Sequence, residues 1–281
     1  MQLPGGLLES GQLRKGFAFK GINGELELAL AECDRRLTVS EQVTRTLVQA
    51  LDHLAGDTPS HQRVAGLCVG DRQYLMRQLT IMLGHDRQWM NADCGKCGET
   101  FDFHVRLSEL PIKSAAEDFP EIKIKISGKS LCFRLPTGED QQAIANEANP
   151  EQAQQILLQR CLLSISGKKV SRDEQPIFAP GDVEKIEAAM EAVAPELVTE
   201  LDANCPVCGQ PNKIELDPYV QLGRGSTALF SEIHSLAWYY HWSEREILAM
   251  PRARRARYLS YIDRSRGFDS RQVGETLEVE V

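Results

Sequence analysis

Two cysteine turns of the same spelling stand at a fixed interval in this chain. Cys94-Gly-Lys-Cys97-Gly98 and Cys205-Pro-Val-Cys208-Gly209 are 111 residues apart at both cysteines (94 to 205, 97 to 208). The same interval joins Ala92 to Ala203, Gly70 to Gly181, Asp71 to Asp182 and Gly56 to Gly167. Apolar positions keep it as well: Leu47 matches Leu158, Leu51 matches Leu162 and Leu54 matches Ile165. Upstream the interval is 114, taking Phe19 to Phe133 and Gly24-Glu25 to Gly138-Glu139, so a three-residue indel separates the two registers. Self-similarity at a constant interval is what one supersecondary unit used twice leaves in a sequence. The chain is therefore expected to hold two related halves that meet at their cysteines.

Four thiolates suit zinc, which they bind at about 2.3 Å in a tetrahedral array. A Cys-x-x-Cys turn presents two sulfurs on one side, and the following glycine (Gly98, Gly209) allows the positive φ such a turn uses. One turn supplies two ligands and the second closes the site, so Cys94, Cys97, Cys205 and Cys208 are the expected ligands of one structural zinc per chain. A closed four-thiolate site leaves no coordination position for chemistry. A thioredoxin-like redox role would instead need a single Cys-x-x-Cys at a helix start; here both pairs precede strands. A metal-free set of reduced thiols is the remaining alternative. Cys33, Cys68, Cys132 and Cys161 have no partners at ligand spacing and are expected to be ordinary buried thiols.

The chain has 281 residues and a net charge of −8, which argues against a generic nucleic-acid binder. Its apolar runs are too short to span a bilayer. The opening Met-Gln-Leu-Pro-Gly-Gly has neither the basic nor the apolar region of a secretory leader. Eight cysteines in that setting point to a reducing cytoplasm. Charge is uneven. Residues 245–266 carry seven arginines against Glu246 and Asp263, whereas 109–202 carries seventeen acids and ten bases. A basic end on an acidic body predicts internal pairing or a surface facing a partner.

Local signals place the elements. Residues 13–20 read as a strand and 25–34 as a short helix. Thr38 and Glu41 spell a capping box, opening a helix with Val43, Leu47, Leu51 and Leu54 on one stripe and a stop at Gly56. Residues 57–70 read as irregular. Asp71 is expected to cap the next helix, and Cys94–Arg106 to be a cysteine turn feeding a strand. In the second half, Ile122–Ile126 and Leu131–Leu135 read as a hairpin and Thr137 as a cap. Asn149-Pro150-Glu151 starts a helix carrying Ile156 to Leu163, Asp182 caps another, and Cys205–Leu216 repeats the turn and strand. After a hinge-like Gly223-Arg-Gly225, Ser226 begins an amphipathic helix. Ser243 and Glu246 form a second capping box, and Pro251 opens a last helix. The expected fold is α+β: two duplicated helix-rich halves, each ending in a zinc-knuckle hairpin that together form one zinc-ribbon-like site, plus a C-terminal helical unit. The expected divisions are 1–110, 111–222, 223–266 and a flexible tail at 267–281.

No Gly-x-Ser-x-Gly, His-Glu-x-x-His or phosphate-loop lysine is present. Gly223-Arg-Gly-Ser-Thr227 lacks the strand and lysine of a phosphate cradle and reads as a linker. The six histidines are scattered, so no enzyme is expected. A metal-dependent enzyme would need an open coordination position or a ligand set that includes His104. Arg252, Arg254, Arg255 and Arg257 fit either a solvated face or an acidic docking partner. The run Trp238-Tyr-Tyr-His-Trp242 sits inside an amphipathic helix, where core is commoner than contact.

The stretch from Ile233 through Tyr239-Tyr-His-Trp-Ser243 to Pro251-Arg-Ala-Arg-Arg-Ala-Arg257-Tyr-Leu259 resembles the ending of T-even-type phage baseplate hub assembly chaperones. These are also found in tail-derived injection systems. Their typical form is a helix with a Tyr-His-Trp-Ser-type signature, a break at proline and an arginine-bearing helix. Paired cysteine knuckles ahead of it fit longer members, and Leu3-Pro4-Gly5 is compatible. The resemblance implies a non-enzymatic, cytoplasmic factor that helps assemble a baseplate hub and either leaves or joins the finished particle. It implies hub or tail proteins as partners, with Trp238, Tyr239, Trp242, Arg252, Arg254, Arg255, Arg257 and Tyr258 as the candidate contacts. A zinc-ribbon nucleic-acid or transcription adaptor is the alternative, opposed by the net charge.

Overall fold

A computed structural model describes residues 1–32, 36–170, 176–219, 222 and 227–267. Cys33, the hinge at 223–225, the helix start at Ser226 and the tail beyond Gly267 lie outside the described residues. Two compact units emerge: Met1–Phe19 with Asp34–Leu222, and Lys20–Cys33 with Gly223–Val281. Both cysteine turns fall in the first unit, and the segment 20–33 belongs with the C-terminal helices.

The first stretch of the chain runs β1 (Gln2–Glu9), β2 (Gln12–Phe19), α1 (Gly24–Ala31), α2 (Val39–Ala50), β3 (Leu51–Leu54), α3 (His61–Ala65), α4 (Val69–Met82), β4 (Arg87–Asp93) and β5 (Thr100–Arg106). The second runs β6 (Ile112–Lys113), β7 (Glu121–Ile126), β8 (Lys129–Arg134), α5 (Gly138–Ile144), α6 (Pro150–Cys161), β9 (Leu162–Ile165), β10 (Lys168–Lys169), α7 (Pro180–Val193), β11 (Glu196–Leu197), β12 (Glu200–Asn204) and β13 (Pro211–Glu215). The end of the chain is α8 (Thr227–Tyr240), α9 (Glu244–Ala249) and α10 (Arg252–Ser265). All strand pairings between these elements are antiparallel. Helices and antiparallel sheets together make this an α+β protein.

Elements recur at the sequence interval. Shifting α2, β3 and α4 by 111 residues lands on α6, β9 and α7 from end to end. The pairing of β2 with β3 slips between Ala18 and Phe19, and that of β8 with β9 slips between the corresponding Cys132 and Phe133. A turn recurs at the interval of 111 too: Ala55-Gly56 has φ of 54° and 86°, and Ser166-Gly167 has 48° and 79°.

Several expectations change. The helices expected to run through Leu54 and Leu163 end at Ala50 and Cys161. Leu51–Leu54 and Leu162–Ile165 turn into strands because the open edges of β2 and β8 accept them. An apolar run of this length suits a helix stripe or a buried strand, and tertiary pairing decides between them. The Pro4-Gly5-Gly6 segment is a strand interrupted by a register shift. Its Gly5 and Gly6 amides donate to the fully buried Asp71 carboxylate at 2.8 and 2.7 Å. Asp71 is thus a tether for the N-terminal strand, and the N-cap of α4 is Cys68. Thr38 completes only half of its box: it accepts from the Glu41 amide, while the Glu41 carboxylate binds Arg45 and His61. A short helix, α3, occupies part of the span read as irregular.

Each half of the first unit has its own core. Leu3, Phe17, Val43, Leu47, Leu51, Leu54 and Leu75 belong to one, and Ile122, Phe133, Leu158, Ile186 and Met190 to the other. Arg72 is fully buried at the joint. It donates to Thr44, the Val64 carbonyl and the Ser40 carbonyl. Desolvation lowers its pKa to about 10. A Cβ on Gly138 would stand 2.5 Å from that guanidinium, so only glycine fits there.

In the second unit, Leu229, Ile233, Leu236, Ile247, Leu248 and Ile262 pack together with Leu28 of α1 against them. Ser243 and Glu246 cap α9 reciprocally, as their spacing predicts.

Candidate metal centre

Both cysteine turns sit at the tips of two-stranded hairpins. The strands before them, β4 and β12, escaped the sequence reading: Arg87-Gln-Trp-Met-Asn-Ala-Asp93 mixes polar residues into both faces, and Glu200-Leu-Asp-Ala-Asn204 alternates but is short and built of residues that favour strands little. The tips are alike atom for atom in their backbone bonding. The Gly98 amide donates to the Cys94 carbonyl and the Gly209 amide to the Cys205 carbonyl, each at 2.9 Å. The Cys94 amide donates to the Glu99 carbonyl and the Cys205 amide to the Gln210 carbonyl, again at 2.9 Å. Gly98 and Gly209 have φ of 73° and 71°, the left-handed conformation glycine supplies without steric cost.

The tips bring all four sulfurs together. One ligand atom from each of Cys94, Cys97, Cys205 and Cys208 lies within 4.8 Å of every other. Across the hairpins, Sγ of Cys94 is 3.5 Å from Cys208 and Sγ of Cys97 is 3.7 Å from Cys205. Neither contact is a disulfide, and all four thiols are free. A tetrahedral ion with bonds of about 2.3 Å needs sulfurs about 3.8 Å apart. The donor set and its spacing fit a thiophilic ion, and these four residues could hold one. Cys94 and Cys205 are buried with Phe101 in a small cluster of their own, while Cys97 is exposed and Cys208 half-buried.

Electrostatics favour an ion. Amides of Cys97 and Lys96 point at the Cys94 sulfur and hold that thiol down at about 6. At Cys97 the Glu99 amide pulls downward, but the neighbouring sulfurs, Cys208 foremost, prevail and push the thiol up to about 12. One thiolate therefore forms readily and resists the next, a repulsion that a dication relieves. Asn212 adds a tie that sequence reasoning missed: its side-chain oxygen accepts from the Gly95 amide at 3.0 Å, linking β13 to the opposite tip. No spacing rule flags it, because its partner is 117 residues away.

The other thiols differ among themselves. Cys68 and Cys161 are buried, whereas Cys132 is half-buried, with its thiol 3.7 Å from a Glu121 carboxylate oxygen. His104 stacks at a tilt on Trp89, ring centroids 5.2 Å apart, and is not part of the sulfur cluster.

The candidate partner contacts separate in space. Trp238 is 70% exposed and Tyr239 is 37% exposed, so the aromatic run is only partly core. Trp242 and Tyr258 turn inward, with Trp242 stacked on Tyr240 at 4.6 Å and edge-on to Tyr258 at 4.8 Å. Arg254 and Arg257 are exposed, and Arg257 donates to the Tyr261 hydroxyl. Arg252 is half-buried. Arg255 is fully buried, paired with Glu27 at 2.6 Å and Glu232 at 3.1 Å. It serves the unit's own interior, because a buried guanidinium needs carboxylates close by.

Among the described residues, no helix is long and apolar enough to cross a membrane. A family model described as T4 bacteriophage base plate protein matches residues 25–222. No curated protein and no solved structure matches the chain. The matched span contains both cysteine hairpins and ends before the C-terminal helices, whose sequence carried the resemblance.

Proposed function

The chain belongs to the T4 bacteriophage base plate protein family, and from that premise we propose that it is a non-enzymatic assembly chaperone or adaptor for the baseplate hub of a contractile phage tail or tail-like injection machine. The observation that carries this reading is the extent of the family match, which takes in most of the first unit with all four cysteines.

In this reading the two halves, 1–110 and 111–222, descend from one duplicated segment. The support is the run of elements, register slips and turns that recur at intervals of 111 and 114. Cys94, Cys97, Cys205 and Cys208 hold one structural zinc in a zinc-ribbon-like joint. When bound, the ion neutralises the thiolates and fixes the hairpins; the residues around it orient and shield the sulfurs. The helices of 223–266 hold a hub protein before it assembles. Exposed Trp238 and Tyr239 supply apolar contact, and Arg254 and Arg257 supply charge. The protein works in the cytoplasm, where tails are built. Co-expression with the hub proteins of its own gene cluster tests this. A complex that survives affinity purification, or raised hub solubility, is expected. Failure of both with every hub protein overturns the assignment.

A further inference from the structure

A cavity of about 340 Å3 lies in the first unit, away from the cysteines. That volume is in the range of small-ligand sites. Its walls are largely apolar: Trp89 and Met90 of β4, Leu107 and Leu110 beyond β5, and Leu216 beyond β13. Arg77 of α4 also lines it. This arginine is only 6% exposed, and its Nη2 donates to the Leu110 carbonyl at 3.3 Å. Its Nε and Nη1 have no hydrogen-bond partner among the described residues. Among the described residues no carboxylate lies within ion-pair distance of it, although Glu215 and Asp217 also line the cavity. A buried cation left bare costs several kcal/mol, and folded proteins leave few such groups unanswered.

The neighbouring strand offers a second recognition element. Among the described residues β4 has a ladder partner on one side only, β5. Trp89, Met90 and Asn91 are consecutive, yet all three line the cavity. Side chains alternate across a strand, so consecutive lining residues mean that the strand's edge runs along the opening. Trp89 is 66% exposed there.

We propose that this cavity receives the carboxyl terminus of an extended partner peptide ending in an apolar residue. The peptide adds as a strand along the open edge of β4, and its last side chain fills the space among Met90, Leu107, Leu110 and Leu216. Its terminal carboxylate meets the Arg77 guanidinium, two of whose nitrogens lack partners among the described residues. Strand addition and carboxylate capture are established modes of peptide recognition, the first giving affinity and the second direction. The inference stands apart from the baseplate assignment, because it rests on the cavity and the open edge of β4.

The test uses the full chain with pooled hexapeptides ending in leucine, valine, isoleucine or phenylalanine, as free acids and as carboxyl-terminal amides. Calorimetry is expected to show saturable binding of the acids and at least tenfold weaker binding of the amides. Arg77→Met should lose the distinction between acid and amide. Trp89→Ala, an exposed change that leaves the fold intact by circular dichroism, should weaken both by several fold. Absence of saturation, equal affinity for acids and amides, or wild-type binding by the folded Trp89→Ala protein would each overturn the proposal.

Discussion

Replacing Cys208 by serine is the sharpest probe of the metal centre. The residue is half-buried, so the change disturbs little packing. The sulfurs stand 3.5 and 3.7 Å apart across the hairpins, close to the roughly 3.8 Å of a tetrahedral four-thiolate site. Structural zinc in small domains contributes about 12 kcal/mol, or about 3 kcal/mol for each of four ligands. The only buried residue of this cluster besides cysteine is Phe101, whose burial is worth about 2–3 kcal/mol. With the proposed ion bound, ligation would therefore outweigh packing at the tips. Loss of about 3 kcal/mol should speed amide exchange in β4–β5 and β12–β13 by about a hundredfold. Exchange in α4 and α7 should change far less. Plasma mass spectrometry of protein purified without chelator should find about one zinc per chain, and substoichiometric metal in Cys208→Ser. Cys132→Ser, outside the cluster, should keep its metal. Wild-type protein without metal, or Cys208→Ser with full metal and unchanged exchange, refutes the reasoning.

Further perturbations separate residues that look alike in sequence. Gly70 and Gly181 match at the interval, but a Cβ on Gly70 would overlap the Pro195 carbonyl oxygen, whereas Gly181 faces open space. Thermal melts should show Gly70→Ala destabilised by about 2 kcal/mol or more, and Gly181→Ala stabilised by up to about 1 kcal/mol. Arg255→Met should cost the second unit about 3–5 kcal/mol by stranding the Glu27 and Glu232 carboxylates. Arg254→Ser, on an exposed face, should shift stability by no more than about 0.5 kcal/mol. Burial alone would raise the Asp140 pKa, but hydrogen bonds from Arg134 and Thr137 outweigh it and hold the carboxylate below its ordinary 3.8. A depressed pKa contributes stability that is present above the unfolded value and lost as pH falls through the folded one. Denaturant titrations should thus find Asp140→Asn less stable than wild type at neutral pH, since the variant lacks the charge that Arg134 and Arg160 pair with. That gap should begin to narrow as pH falls to about 3.8 and go on narrowing below it.

Features encoded by neighbouring residues were legible early. Cysteine spacing, the glycine after each turn, the Ser243–Glu246 box and the Asn149-Pro150 start all act within a few positions, and each stands where the spacing placed it. The constant interval added a long-range statement, that the two cysteine turns belong together, which the sulfur distances match. Misreadings arose where one pattern serves two structures. Leu47, Leu51 and Leu54 suit a helix stripe, yet a free strand edge beside them takes the last two. Arg252, Arg254, Arg255 and Arg257 read as one basic cluster, yet two acids distant in sequence draw Arg255 inside and leave Arg254 and Arg257 in solvent.

The amino-acid order by itself determined the two cysteine turns, their matching spacing and most helix starts, since turn formation and capping depend on residues a few positions apart. Tertiary structure alone decided which arginine is buried, which matched glycine is indispensable, where Asp71 anchors the N-terminal strand, and that Arg77 lines a cavity with two guanidinium nitrogens unpartnered among the described residues. Each of those depends on groups tens or hundreds of residues away, whose approach is set by packing and by the need of every buried polar atom for a partner.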